Sequence, residues 1–167
     1  IHSSIQLGLY TSSQQVGVIF NSANQIFKTA WFPFLFQLYA KKDDVRKIKA
    51  IEDISLIALY LMLAISIGIS ISAPFLIYNS NISKFFAIIP YIPFVFTGLY
   101  LLSIGTIMGR GMDLTKKNSL QPLIPLSALT ANFVLSFLLI NRMGLIGAYI
   151  AFTCTYFFKS FVQVTLN

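Results

Sequence analysis

Polar side chains recur at helical spacing in the apolar stretch FNSANQIFKTAWFPFLF, which runs from Phe20 to Phe36. Residues three or four positions apart are neighbours on the surface of a helix, so these side chains share one face. The stretch holds one lysine and no acidic residue. Such a polar stripe lines a wet cavity, binds an anion or hydrogen-bonds to a neighbouring helix. The stripe consists of Asn21, Asn24, Gln25 and Lys28.

The composition places this stripe in a membrane. Hydrophobic residues make up 56% of the chain and charged residues 10%, and 16 of the 167 residues are phenylalanine. A soluble domain carries about a quarter charged residues. We therefore expect an integral membrane protein.

Five stretches are long enough to cross a bilayer as helices, since about 20 apolar residues span roughly 30 Å of hydrocarbon. Three of them contain no charge, and the first and the last contain one lysine each. The predicted fold is all-α, a polytopic membrane helix bundle of about five transmembrane helices in a single region. The predicted spans are 14–40, 54–78, 85–109, 118–141 and 144–167.

The basic residues outside these spans divide unevenly between the two sides of the membrane. Eight lie in the segments 41–53 and 109–117, and two, Lys84 and Arg142, lie in the segments on the other side. Cytoplasmic loops carry the excess of lysine and arginine, so we expect the N-terminal edge outside and the C-terminal edge in the cytoplasm. The chain begins at an isoleucine on the outer side, and we expect it to be a fragment, the C-terminal part of a longer protein.

Three of the six candidate residues for a substrate path carry a structural alternative. Lys28 lies about 18 Å from either end of its predicted span, where a charge costs at least a few kcal/mol unless it faces a wet cavity or a partner. Its alternative role is pairing with an acid outside this chain. Lys159 lies about 12 Å from the C-terminal end and can snorkel to the interface. Asn132 lines a cavity or hydrogen-bonds to another helix. The other three candidates are Asn21, Asn24 and Gln25.

Other chemistries find little support in the sequence. The chain has one cysteine, Cys154, and one histidine, His2, and its five acidic residues lie outside the predicted spans. This pattern predicts no metal site, no cofactor and no enzymatic nucleophile with its base. The basic residues flank the spans, which indicates topology determination and attraction to anionic membrane lipids rather than nucleic-acid binding.

Three longer stretches carry a family resemblance: LGLYTSSQQVG from Leu7, AWFPFLFQLYAKKDD from Ala30, and ANFVLSFLLINRMGLIGAYIAFTCTYF from Ala131. In this order and spacing they resemble the polysaccharide transporter branch of the multidrug/oligosaccharidyl-lipid/polysaccharide exporter superfamily, which includes the O-antigen flippases. The resemblance covers essentially the whole chain.

The resemblance implies a two-lobed bundle of about twelve or more helices around a central cavity, of which this chain would supply roughly the last five of a twelve-helix core. It implies flipping of a lipid-pyrophosphate-linked oligosaccharide, an O-antigen or capsule repeat unit, across the bacterial inner membrane for surface polysaccharide biosynthesis. The absent N-terminal half would be a required partner. We expect the five helices alone not to transport.

Two alternatives remain open at this point. A multidrug exporter of the same superfamily is one, although such exporters tend to handle cations, which a path lined by Lys28 without acids would repel. The other is a membrane-embedded structural bundle that does not transport, in which the polar stripe only joins helices.

Overall fold

The described part of the chain folds into five α-helices and one 3₁₀ segment. The structure, a computed structural model, describes residues 2–40, 45–79, 83–109 and 122–165. Within these ranges the chain is helical apart from single turn residues, and the predicted all-α fold is confirmed. The elements are α1 (His2–Ala40), α2 (Val45–Asn79), the 3₁₀ segment (Ser83–Tyr91), α3 (Ile92–Met108), α4 (Leu123–Met143) and α5 (Leu145–Thr165).

Four helical segments are long and apolar enough to cross a membrane: Lys49–Asn79, Phe85–Met108, Leu123–Met143 and Leu145–Thr165. The chain is therefore a multi-pass membrane protein. Helix α1 has 39 residues, a length of about 58 Å, but its polar residues keep its hydropathy below that of the four segments. The predicted first span, 14–40, stays a prediction.

Successive helices alternate in direction, so that α1, α3 and α5 run parallel to one another. On α3, Gly98 lies against Phe152 of α5 and Gly105 lies against Ser160. Residue numbers therefore rise in the same direction along both helices. Helix α3 is central and packs on α1, α2 and α5, whereas α4 packs mainly on α5. Helix α1 packs on α3, α2 and the 3₁₀ segment, and its first turns reach α5, where Tyr10 packs on Tyr149.

A glycine turn joins α4 to α5. Gly144 has φ 60° and ψ −133°, a backbone conformation that residues with a Cβ atom rarely adopt. Gly147 follows one turn later and lies against the Leu139 carbonyl group. Because a side chain at position 147 would overlap that carbonyl, the two helices can approach closely only with glycine there.

Candidate functional site

A cleft opens between α1 and α4, with α5 as its floor. Its volume is ≈ 400 Å³. None of the described residues that line this α1–α4 cleft is charged, and four carry a polar group. The lining residues are Gln6, Leu7 and Tyr10 from α1, Asn132, Ser136 and Ile140 from α4, Gly144 from the turn, and Leu145 and Ala148 from α5.

A stack of tyrosine rings fixes α1 against α5 at this cleft. The ring of Tyr10 lies 5.3 Å from that of Tyr149, and the Tyr149 ring stacks on Tyr91 at 4.6 Å. The Ser13 hydroxyl donates its proton to the Tyr10 carbonyl, so the Tyr149 hydroxyl, 2.6 Å away, must donate to the Ser13 oxygen. Tyr149 is fully buried. Because the Tyr10 ring packs against this fixed ring, its position is also restricted.

Asn132 combines the two roles that the sequence left open. Its Nδ2 atom donates to the Thr155 hydroxyl on α5 at 3.0 Å, and its Oδ1 atom accepts from Ser136 at 3.4 Å. The same side chain lines the α1–α4 cleft. Asn132 thus joins α4 to α5 and presents its remaining hydrogen-bonding capacity to the cleft.

The polar stripe of α1 is divided by its packing. Asn24 is only 2% exposed and faces α3, where its Nδ2 atom donates to the Ser103 hydroxyl at 3.0 Å. Ser103 uses its own proton on the Leu99 carbonyl. The Oδ1 atom of Asn24 is buried and has no hydrogen-bond partner among the described residues. Asn24 joins two helices, whereas Asn21 and Gln25 are exposed and Lys28 is half-buried.

Two residues of the stripe, Asn21 and Lys28, lie on nearly the same face of α1 as the cleft residue Leu7. Leu7, Gln14, Asn21 and Lys28 recur every seven residues, and seven residues make close to two helical turns. Leu7 lines the α1–α4 cleft, so the other three follow it along nearly the same face of α1. Lys28 therefore lies on nearly the same face of α1 as the cleft residue Leu7, about 31 Å further along the helix.

Lys159 lies on α5, on the helix face that is directed toward α4. It lies four residues after Thr155, which bonds to α4, and the two share a helix face. Its neighbour Ser160 donates to the Leu101 carbonyl of α3. Lys159 is half-buried and lies about 21 Å along α5 from Leu145 at the cleft.

The contact between α1 and α3 gives the level of Lys28 within the helix bundle. Asn24 pairs with Ser103, and α1 and α3 run parallel. One turn further along each helix, Lys28 lies level with Ile107, next to the end of α3 at Met108. The predicted central depth rested on a helix that begins at residue 14, whereas α1 begins at His2. Lys28 therefore lies level with the end of α3, while Trp31 and Leu35 further along α1 are also buried, and its depth in a membrane stays a prediction.

Three polar residues of the cleft, Gln6, Tyr10 and Ser136, were not among the predicted site residues. Their shared site depends on α1 and α4, which are distant in sequence, meeting across α5, and a local pattern does not indicate this. Comparisons of the chain with protein-family models, curated proteins and solved structures found no match.

Proposed function

We propose that this chain is part of a membrane transporter that flips a lipid-pyrophosphate-linked oligosaccharide across the bacterial cytoplasmic membrane. The observation that carries the proposal is the uncharged α1–α4 cleft, with Lys28 further along α1 and Lys159 further along α5. A substrate with an anionic diphosphate and a neutral sugar part matches this division. The family resemblance and the uneven distribution of basic residues support the bacterial setting and the outward N-terminal edge.

Lys28 and Lys159 are the cations that would meet the diphosphate. Lys28 lies on α1 and Lys159 on α5, and by the register of α1, α3 and α5 they lie about one helical turn apart in level. A cation in a partly desolvated groove attracts an anion more strongly than the same cation in water. Asn21 and Gln25 would supply amide donors between the two lysines and the cleft.

A role limited to joining helices is the second candidate, and two hydrogen bonds favour it. Asn24 bonds to Ser103 and Asn132 bonds to Thr155, which is the common use of a buried asparagine in a membrane bundle. This role does not account for the exposed amides of Asn21 and Gln25. A multidrug exporter would use the same cleft but would need to accept cations beside two lysines.

The test is complementation of a flippase-deficient strain by the chain joined to the N-terminal half that the resemblance implies. Lys28→Gln should reduce surface polysaccharide at least about tenfold, a loss of about 1.4 kcal/mol of substrate interaction, with protein levels unchanged. Lys28→Arg should retain part of the activity, because a point contact with phosphate needs charge more than shape. Lys49→Gln, an exposed change on α2, is the matched control.

Two outcomes would contradict the proposal. Wild-type transport by Lys28→Gln at matched protein level would remove this cation from the substrate path. Loss of folded Lys28→Gln protein, with rescue when a particular acid elsewhere is neutralised, would assign Lys28 to a structural ion pair instead.

A further inference from the structure

The α1–α4 cleft has an aromatic wall that is already fixed in place. Tyr10 lines the cleft and packs against Tyr149, which in turn stacks on Tyr91 and bonds to Ser13. A ring held in this way loses little conformational freedom when a ligand packs on it, so less of the interaction energy is lost to ordering. An aromatic face offers a flat apolar surface with a weakly negative centre.

Hydrogen-bonding groups border this ring on two helices. Gln6 lies one turn before Tyr10 and is exposed, and its amide is both donor and acceptor. Asn132 uses one of its two N–H groups on Thr155, and the Ser136 oxygen can still accept while its proton goes to Asn132. The cleft thus combines an apolar ring face with a rim that can bond to several hydroxyl groups.

The volume of the α1–α4 cleft and the absence of charge among its described lining residues restrict the class of ligand further. The cleft volume of ≈ 400 Å³ falls toward the lower end of the ~300–1,000 Å³ typical of small-molecule sites. The described lining residues carry no charge, and Lys159 lies outside them on α5, about 6 Å beyond Thr155, the residue that bonds to Asn132. An anionic group would find no counter-charge among these residues, so the ligand part bound here is neutral.

We propose that the α1–α4 cleft binds one neutral pyranose ring, or a pair of them, with an apolar ring face against Tyr10 and hydroxyl groups toward Gln6, Asn132 and Ser136. A pyranose presents axial C–H groups on a face and hydroxyls around its edge, which is the pattern of this cleft. The inference rests on the proposed function, because it assigns the sugar part of the carried molecule to the cleft and leaves the diphosphate to the lysines.

The test measures binding by the 167-residue chain in lipid nanodiscs. Saturation-transfer NMR with methyl β-glucopyranoside and with maltose as probes should show contact to the C–H groups of one ring face, and free glucuronate should bind more weakly. Tyr10→Phe should retain binding because the ring stays. Tyr10→Ala should weaken it about tenfold, since aromatic contacts of this kind contribute about 0.5–1.5 kcal/mol. Tyr60→Ala, an exposed change on α2, is the matched control.

A second variant fills the site without removing the tyrosine. Ala148 lies on the cleft floor and is half-buried, so Ala148→Leu should block both glycosides while circular dichroism shows unchanged helix content. Unaltered glycoside binding by Tyr10→Ala and Ala148→Leu would overturn the proposal. Absence of any saturation transfer in the wild type would also overturn it, and contact of Tyr10 with a spin-labelled lipid chain would then identify the cleft as a lipid site.

The proposed function and this inference can fail separately. Normal transport by Lys28→Gln together with glycoside binding at the cleft would remove the diphosphate contact and keep the sugar site. Loss of transport in Lys28→Gln, together with no glycoside binding by the wild type, would keep the diphosphate contact and remove the sugar site.

Discussion

The two sides of α3 are held by different kinds of contact. Toward α5, Gly105 brings the helix backbones together, and a Cβ atom there would lie 2.7 Å from the Ser160 Cα. Toward α1, the corresponding glycine, Gly17, meets the side chains of Leu99 and Val95 rather than backbone, and the contact is completed by the bond from Asn24 to Ser103. The α5 side therefore combines close backbone contact with bonds from Thr153 and Ser160 to carbonyl groups of α3, whereas the α1 side joins side chain to side chain.

Unsatisfied groups are also unevenly distributed between these sides. Within the described residues, the buried side-chain atoms without a hydrogen-bond partner are Nε2 of Gln14, Oδ1 of Asn24 and Nε1 of Trp31, and all three lie on α1. An unpaired buried polar group costs about 1–3 kcal/mol. Helix α1 is thus the less tightly specified partner of α3, and the two sides should respond differently to substitution.

The largest effect is expected from adding a methyl group on the α5 side. Gly105→Ala places a Cβ against the backbone of Ser160, and overpacking of this kind costs about 1–3 kcal/mol. Gly17→Ala should cost less than Gly105→Ala, because its Cβ meets side-chain atoms of Leu99 and Val95 rather than backbone and alanine is favoured over glycine in a helix. The free energy of unfolding, measured by titration with SDS in mixed micelles, gives the comparison.

Gly68→Ala is the control for the helix preference alone, since a Cβ atom there meets nothing within 4 Å. If Gly105→Ala and Gly17→Ala lowered the unfolding free energy equally, the contrast between the two sides of α3 would be wrong.

An intermediate effect is expected at the polar contact on the α1 side. Ser103→Ala removes the partner of the Asn24 Nδ2 atom and leaves both polar atoms of a buried amide unpaired, at a cost of about 1–2 kcal/mol. Asn24→Leu removes the amide together with its unpartnered oxygen and should cost less than about 0.5 kcal/mol. The same SDS titration compares the two variants, and a greater loss from Asn24→Leu would show that Oδ1 has a partner.

An effect smaller than that of Ser103→Ala is expected where α1 meets α5. Breaking the bond between Tyr149 and Ser13 should cost about 0.6 kcal/mol, the average for an interhelical hydrogen bond in a membrane protein. A double-mutant cycle of Ser13→Ala and Tyr149→Phe isolates this energy. A coupling energy above about 2 kcal/mol would instead make the tyrosine stack the main attachment of α1.

The sequence predicted features that depend on local spacing. The all-α membrane fold follows from the apolar runs, and the stripe of α1 follows from helical periodicity. Which member of the stripe is buried depends on Ser103, 79 residues away, and the level of Lys28 relative to α3 depends on the same pairing. The tyrosine stack and the α1–α4 cleft require contacts across three helices. No periodic pattern within one segment contains that information.

The pairing of α1 with α3 and α5 also has a consequence for biosynthesis. A ribosome adds about 5–20 residues per second, so Ser103 is made about 4–16 s after Asn24, its partner 79 residues earlier in the chain. Tyr149 follows Ser13 by 136 residues, or about 7–27 s. During this interval the amides of α1 lie in or near the bilayer without their partners. We therefore expect the insertion machinery to retain the nascent helix until α3 and α5 have been synthesised.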